Sequence, residues 1–224
     1  MNPQNESLSD SLIADGYLKT PEIINAFKKI DRADFVPDEF KNDAYENIPL
    51  SIGFKQTISQ PLTVAFMIEL LQPRVGEKIL EVGAGSGWQT AILSQMVGGD
   101  TGGNEGGENS NSESGIIAIE IIPELKEMAE KNVSKYNFIH KGIAKIILGD
   151  GSRGYKNEAP FDRIIAAAAS EKEIPAIWKK QLKIGGRIVS PVGHSIVVID
   201  KISKTKYAKR EYFGFSFVPL LKDA

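Results

Sequence analysis

The 224-residue chain carries 27 Lys and Arg against 29 Asp and Glu, a formal net charge of −2, and 42% of its residues are hydrophobic. That is a globular composition at the length of one domain, or one domain with an appendage, and a chain of this size buries roughly 70% of its unfolded surface. Cysteine is absent and His140 and His194 are the only imidazoles, which removes disulfides, thiolate sites and His-rich metal centres and disfavours a Ser-His-Asp triad; no metal is expected. The near-neutral balance argues against a dedicated nucleic-acid binder, and no targeting signal or bilayer-length apolar run is visible, so a cytoplasmic protein without a membrane partner is expected.

Residues 1 to about 50 read as helices. Leu8, Leu12 and Ile13 recur at helical spacing before Asp15-Gly16, and Ile23, Ile24, Phe27 and Ile30 do so after Thr20-Pro21. A polar loop is expected over 53–61, then an apolar helix over 61–71 that Pro73 ends. From there strands alternate with helices: strands at 78–82, 116–120, 144–148, 161–168 and 186–191, helices at 88–97, 124–136 and 175–182. This alternation implies βαβ units. Strands at 195–202 and 211–218, joined by a Lys-rich turn, add an antiparallel edge. The expected architecture is therefore α/β: a Rossmann-like, doubly wound, mostly parallel sheet with an antiparallel C-terminal edge and an N-terminal helical extension. The expected division is 1–60 (helical segment and substrate loop) and 61–224 (α/β unit). Residues 98–115, with seven glycines in eighteen residues and no apolar side chain, read as a flexible insertion.

The strongest chemical signal is Glu81-Val82-Gly83-Ala84-Gly85-Ser86-Gly87, lying between a strand and a helix. Glycines there let the backbone turn sharply and approach a ligand. A dinucleotide fingerprint needs a further glycine where Trp88 stands, so a ligand smaller than NAD is favoured. An acid that holds a ribose should end the next strand about 20 residues on. Glu120 does so once the insertion is discounted. Gly149-Asp150-Gly151 closes the third strand, where a side chain meets an adenine edge. Taken singly, each is also an ordinary strand-end turn.

Together these features resemble a class I S-adenosylmethionine-dependent methyltransferase. Amino-group methyltransferases of that class carry an Asn/Asp-Pro-Pro-Tyr stretch where this chain has Ala166-Ala167-Ala168-Ala169-Ser170. Methylation of an exocyclic amine is thus disfavoured. The stretch Gln56-Thr57-Ile58-Ser59-Gln60-Pro61 resembles the signature of protein-L-isoaspartate O-methyltransferases; on spacing alone it reads as a helix start with Ser59 as the cap. Phe35-Val36-Pro37, Ala159-Pro160-Phe161-Asp162, Pro191-Val192-Gly193 and Phe217-Val218-Pro219-Leu220 support the resemblance in the same order. Ser170-Glu171-Lys172-Glu173 lacks the proline common there, and the 98–115 insertion is atypical.

The resemblance implies methyl transfer from S-adenosyl-L-methionine, leaving S-adenosyl-L-homocysteine, to the free α-carboxylate of L-isoaspartyl residues in damaged proteins and peptides, which starts repair through a succinimide. It assigns Ser59 as the catalytic group, and Thr57, Ser59, Val218 and Leu220 to the substrate. It places the cofactor on Gln56, Thr57, Ile58, Ser59, Glu81, Val82, Gly83, Ala84, Gly85, Gly87, Glu120, Ile121, Asp150 and Gly151. Two rivals are an RNA methyltransferase, for which Lys201, Lys204, Lys206, Lys209 and Arg210 would meet phosphate, and a non-catalytic cofactor-binding regulator. Isoaspartyl proteins and peptides are the expected partners, without nucleic acid; the oligomeric state is not legible.

Overall fold

Proline at or beside the first helical position opens four helices of the computed structural model, which describes residues 2–98 and 114–223. A fixed φ and a missing N–H suit that position. Helix α1 (Pro3–Ala14) is also capped by the Asn2 side chain, which accepts from the Gln4 N–H at 3.0 Å. Helix α2 (Pro21–Lys29) buries Ile23, Ala26 and Phe27. Two 3-10 turns, Arg32–Phe35 and Asp38–Asp43, lead to a hairpin of β1 (Leu50–Gly53) and β2 (Gln56–Ile58). The polar loop expected over 53–61 is thus partly strand. Phe54 and Lys55 both adopt left-handed φ, 51° and 57°, the geometry that suits a two-residue hairpin connection. Helix α3 (Pro61–Leu71) ends where Gln72 turns left-handed.

The main sheet follows from β3 (Lys78–Val82), α4 (Trp88–Gly98), β4 (Gly115–Glu120), α5 (Pro123–Ser134), β5 (Ala144–Leu148), β6 (Phe161–Ala166), α6 (Ala176–Gln181), β7 (Leu182–Val192), β8 (Ser195–Lys201) and β9 (Tyr207–Phe213). Residues 99–113 of the expected flexible insertion lie outside the described residues. The strand order is β5-β4-β3-β6-β7-β8-β9, parallel as far as β7, with β8 antiparallel to β7 and β9 antiparallel to β8. This is the doubly wound sheet with an antiparallel edge that the sequence implies.

Side chains alternate between the two faces of the sheet with the period of a strand. Ile79, Ile116, Ala118, Ile146, Ile165 and Val189 share one buried cluster with residues of the first five helices. Leu80, Val82, Ile117, Ile164 and Ile188 form the other with Trp178 of α6. Leu8, Leu12, Ile23 and Phe27 of the N-terminal helices lie in the first cluster, and Phe27 meets the Trp88 ring edge-on with centroids 5.7 Å apart. Ile13, expected on the buried stripe, is exposed.

The last strand requires a correction. It spans Tyr207–Phe213, not 211–218, so Lys209 and Arg210 sit on the strand and the turn before it is shorter. Most of its residues are exposed, and no apolar alternation marks its register. The chain beyond it reaches back to the strand ends. There the Ala169 N–H donates to the Val218 carbonyl and the Leu220 N–H to the Ala169 carbonyl, both at 2.8 Å. Among the described residues no helix is long and apolar enough to cross a membrane.

Candidate active site

Register brings the strand ends level. Val82 pairs with Ile119 on one side and Ala166 on the other, and Glu120 pairs with Leu148. The residues that follow, Gly83, Ile121, Gly149 and Ala167, therefore emerge along one edge. Strand β3 is also where the order reverses, since the chain builds outward to β5 and returns to β6 on its other side. Open α/β sheets bind ligands at such a point.

The glycine turn after β3 is held by its neighbours. Gly83, Gly85 and Gly87 take φ of 87°, 55° and 88°, and the N–H groups of Gly83 and Ala84 donate to the Ile119 carbonyl at 2.8 and 3.2 Å. The buried Glu120 carboxylate ties this turn to its own: it accepts from Gly85 N at 2.8 Å, Ile121 N at 2.9 Å and Ile122 N at 3.1 Å. A carboxylate offers about four acceptor positions, so roughly one remains for a ligand hydroxyl. At Gly87 a β-carbon would lie 2.8 Å from Val133 Cγ2 and 3.1 Å from the Ala129 carbonyl oxygen, so α5 packs directly on the turn.

Behind the turn, Glu81 is fully buried and accepts from Gln89 Nε2 at 3.0 Å and Thr90 Oγ1 at 2.6 Å. Burial pushes its pKa up to about 8, against the pull of those two hydrogen bonds and with a small push from the Glu120 charge.

An open cleft with about 570 Å³ of empty space, its solvent-filled mouth included, lies over these strand ends. Val82, Gly83, Gly85, Gly149 and Gly151 line it from the strand ends, and Glu120, Ile121, Ile122 and Leu125 from the β4 exit. Ala167 and Ala168, Gln56, Thr57 and Ser59 of the hairpin side, and the 218–221 segment complete it. A groove of about 750 Å³ shares Thr57, Ser59, Ala167 and Val218 and adds Pro49, Gln60, Thr63, Ser216 and Phe217. A third small space, beside Trp88, is lined by Ile58, Ala84, Thr57 and Ser59 among others. Thr57 and Ser59 border all three spaces. Among the described residues no Lys, Arg or His lines any of them, and Glu120 is their single ionisable group.

Of the residues singled out by sequence, Glu81, Gly87 and Asp150 line none of these spaces. Glu81 and Gly87 brace the turn. Asp150 caps the 3-10 turn Gly151–Arg153, accepting from Ser152 N at 2.9 Å and pairing with Arg153 at 3.2 Å. Desolvation raises its pKa, but the hydrogen bonds from Ser152 outweigh that and hold it below the usual carboxylate range. Gly151 does line the cleft. A β-carbon there would lie 2.5 Å from Val82 Cγ1, which explains the glycine. The capping role open to Ser59 on spacing alone is not taken: Gln60 is the N-cap of α3, without a side-chain cap bond. Sequence reasoning missed Ile119, Ile122, Leu125, Ala167, Ala168 and Leu221 as residues lining the cleft. The run of four alanines, 166–169, was the available signal, since small side chains at a strand end leave room for a ligand.

Comparison with known proteins agrees with this geometry. Residues 3–224 match the family model described as Protein-L-isoaspartate(D-aspartate) O-methyltransferase (PCMT). A protein-L-isoaspartate O-methyltransferase of Ignicoccus hospitalis is 39% identical over 227 residues, covering 100% of both chains. One of Methanopyrus kandleri is 37% identical, covering 96% of this chain and 90% of its own. A crystal structure from Plasmodium falciparum, described as a protein of that activity in complex with S-adenosyl-L-homocysteine, shares the fold with a TM-score of 0.83 at 22% identity, covering 98% of this chain and 99% of its own. The glycine turn, the buried acid that ties it down and the full-length match together make this chain a member of the protein-L-isoaspartate(D-aspartate) O-methyltransferase family.

Proposed function

We propose that the cleft holds S-adenosyl-L-methionine and that the adjoining groove presents the free α-carboxylate of an L-isoaspartyl residue, which the Ser59 hydroxyl orients. The family carries the reaction class, which is S-adenosylmethionine-dependent O-methylation of isoaspartyl residues, the first step of their repair. The observation that carries the assignment of residues is the shared boundary: Thr57 and Ser59 line both the cleft and the groove, so one pair of hydroxyls adjoins both reactants.

The residues present fit the cofactor. Gly83, Gly85 and Gly149 leave backbone partly exposed at the cleft, and Glu120 keeps acceptor capacity for a ribose hydroxyl. On this reading the turn over 83–87, braced by Glu81, supports the methionine and sugar portions. Ile121 and the Asp150-Gly151 turn bound the base. Gln56, Ile58 and Ala84 close the side toward the hairpin. Val218 and Leu220 face the substrate peptide. When bound, S-adenosylmethionine supplies a methyl group on a positively charged sulfur.

The acceptor needs no general base. A main-chain-type carboxyl has a pKa near 3.3–3.9 and is ionised at pH 7. Among the described residues no imidazole or amine side chain lines either space, which supports this and gives an RNA phosphate no partner there. Ser59 and Thr57 would donate hydrogen bonds to the carboxylate and orient it toward the cleft, whose lining is mostly apolar. The methyl ester then loses methanol as the neighbouring backbone nitrogen attacks its carbonyl, giving a succinimide. The reading divides the chain into a substrate-side segment, 1–60, and a cofactor-binding unit, 61–224. It assigns the cytoplasm as the compartment.

Ser59→Ala should lower kcat on an isoaspartyl peptide by at least tenfold while leaving the Kd for S-adenosylhomocysteine within twofold. Glu120→Ala should do the converse, weakening cofactor binding by about 1–3 kcal/mol through loss of charge-assisted hydrogen bonds. Full activity in Ser59→Ala, measured as methyl esterification of the isoaspartyl peptide against its normal aspartyl twin, would remove Ser59 from the mechanism.

A further inference from the structure

Arg32 is the largest charged side chain without solvent exposure. Burying a guanidinium is costly unless it is paired, yet among the described residues no carboxylate accepts from it. Its partners are carbonyls. Nη1 donates to Ala44 O at 2.9 Å and Glu46 O at 3.1 Å, and Nη2 donates to Ile48 O at 2.9 Å and Ser59 O at 3.1 Å. All four Nη hydrogens are therefore used, three on the segment that precedes the hairpin and one on Ser59. The guanidinium carbon also lies 5.2 Å from the centre of the Trp88 ring, at the start of α4 where the glycine turn ends. Burial lowers its pKa to about 10, so the group remains charged at neutral pH.

One buried cation thus joins the backbone of Ser59, the segment before the hairpin and the ring that closes the cofactor turn. A neutral side chain would fill the space without drawing four carbonyl oxygens together. A lysine would supply three donors from a single point and cannot span the same fork. Asn47 reinforces the clamp on the α3 side: its carbonyl accepts from Gln60 Nε2 at 2.8 Å and its Oδ1 from Leu62 N at 3.0 Å, both from residues that follow Ser59.

We infer that Arg32 is a positioning residue for methyl transfer, which acts by fixing the Ser59 main chain so that its hydroxyl stands at the boundary of cleft and groove. The inference rests on the reading of Ser59 given above. Arg32 lines neither the cleft nor the groove. Of its four carbonyl partners, Ser59 alone lines the cleft and the groove, and this is the route to the reacting groups that the inference assigns.

A two-by-two comparison of Arg32→Lys and Ser59→Ala tests this, with kcat on an isoaspartyl peptide at saturating cofactor and the Kd of S-adenosylhomocysteine as separate readouts. Arg32→Lys alone should lower kcat about tenfold with the Kd within twofold. In the Ser59→Ala background the same substitution should cost less than twofold. An equal cost in both backgrounds, or no cost in either, would overturn the inference while leaving the role of Ser59 standing. Full activity in Ser59→Ala would overturn both. Should Arg32→Lys fail to give a cooperative thermal transition, the comparison is made with Trp88→Leu, which removes the aromatic face but leaves the cation. Coupling of its kcat loss to Ser59→Ala supports the inference, and an additive loss or none overturns it.

Discussion

Glu81 and Glu120 are two buried carboxylates at the ends of adjacent strands, and their surroundings give them opposite tasks. Glu120 receives three backbone N–H groups and stands in the cleft, whereas Glu81 has only two neutral side-chain donors and no exposure. Glu81 therefore retains its proton in the folded state up to about pH 8, while the unfolded chain releases it near 4.5. Its contribution to stability is complete below about pH 4.5 and is lost as pH rises through about 8, because over that window the folded state binds more protons. Urea midpoints should accordingly fall from pH 5 to pH 8 in the parent chain and much less in Glu81→Gln, which keeps the neutral shape. Parallel slopes in the two proteins would refute the assignment.

Among the elements, the glycine turn meets α5 at Gly87, against Val133 and Ala129, and at Ser86, whose carbonyl accepts from Asn132 Nδ2 at 3.0 Å. Gly87 and Gly76 both have left-handed φ, 88° and 79°, but only Gly87 has neighbours within reach of a β-carbon. Gly76→Ala should thus cost about 1–2 kcal/mol from backbone strain alone. Gly87→Ala should cost about 2–4 kcal/mol, because overpacking against Val133 and Ala129 adds to the strain. Denaturant unfolding of the two variants checks the difference, and equal losses would show that α5 accommodates a β-carbon at Gly87 without cost. Strands rich in apolar residues and bounded by turn residues were also the legible ones: β3 and β4 are buried on both faces, β5 is an edge strand with Lys145 and Leu148 exposed, and the sequence placed the ends of all three within a residue. The β1–β2 hairpin was not legible, since Phe54-Lys55 carries none of the Asn or Gly that such a turn favours. Strand β9 was misplaced for the want of apolar alternation. The strand-end motifs revealed the cleft floor, because each lies next to its own strand in sequence. The Arg32 clamp was hidden, because what it binds is backbone, and a carbonyl leaves no mark on residue identity.

Across the whole molecule, aromatic rings connect distant parts of the chain beside the groove. Phe66 of α3 meets Tyr17 edge-on at 6.5 Å, Tyr212 of β9 edge-on at 5.4 Å, and Phe215 in a stack at 5.3 Å, and Phe215 adjoins Phe217 at 6.5 Å. Phe217 and Val218 then form one wall of the groove. Phe66→Ala should destabilise the fold by about 2–3 kcal/mol and raise KM for an isoaspartyl peptide several-fold, with the Kd for S-adenosylhomocysteine unchanged. A weakened Kd at constant KM, from calorimetry beside steady-state kinetics, would place the effect on the wrong side of the active site.

The outermost strand bears on the company this enzyme keeps. Damaged proteins are often partly opened, and an opened backbone seeks any sheet that offers unpaired N–H and C=O groups. Strand β9 offers its outer side next to Lys209, Arg210 and Glu211, exposed and charged. Such a border discourages a client from annealing along it, so that a repair enzyme is not itself drawn into the aggregates its clients would otherwise form.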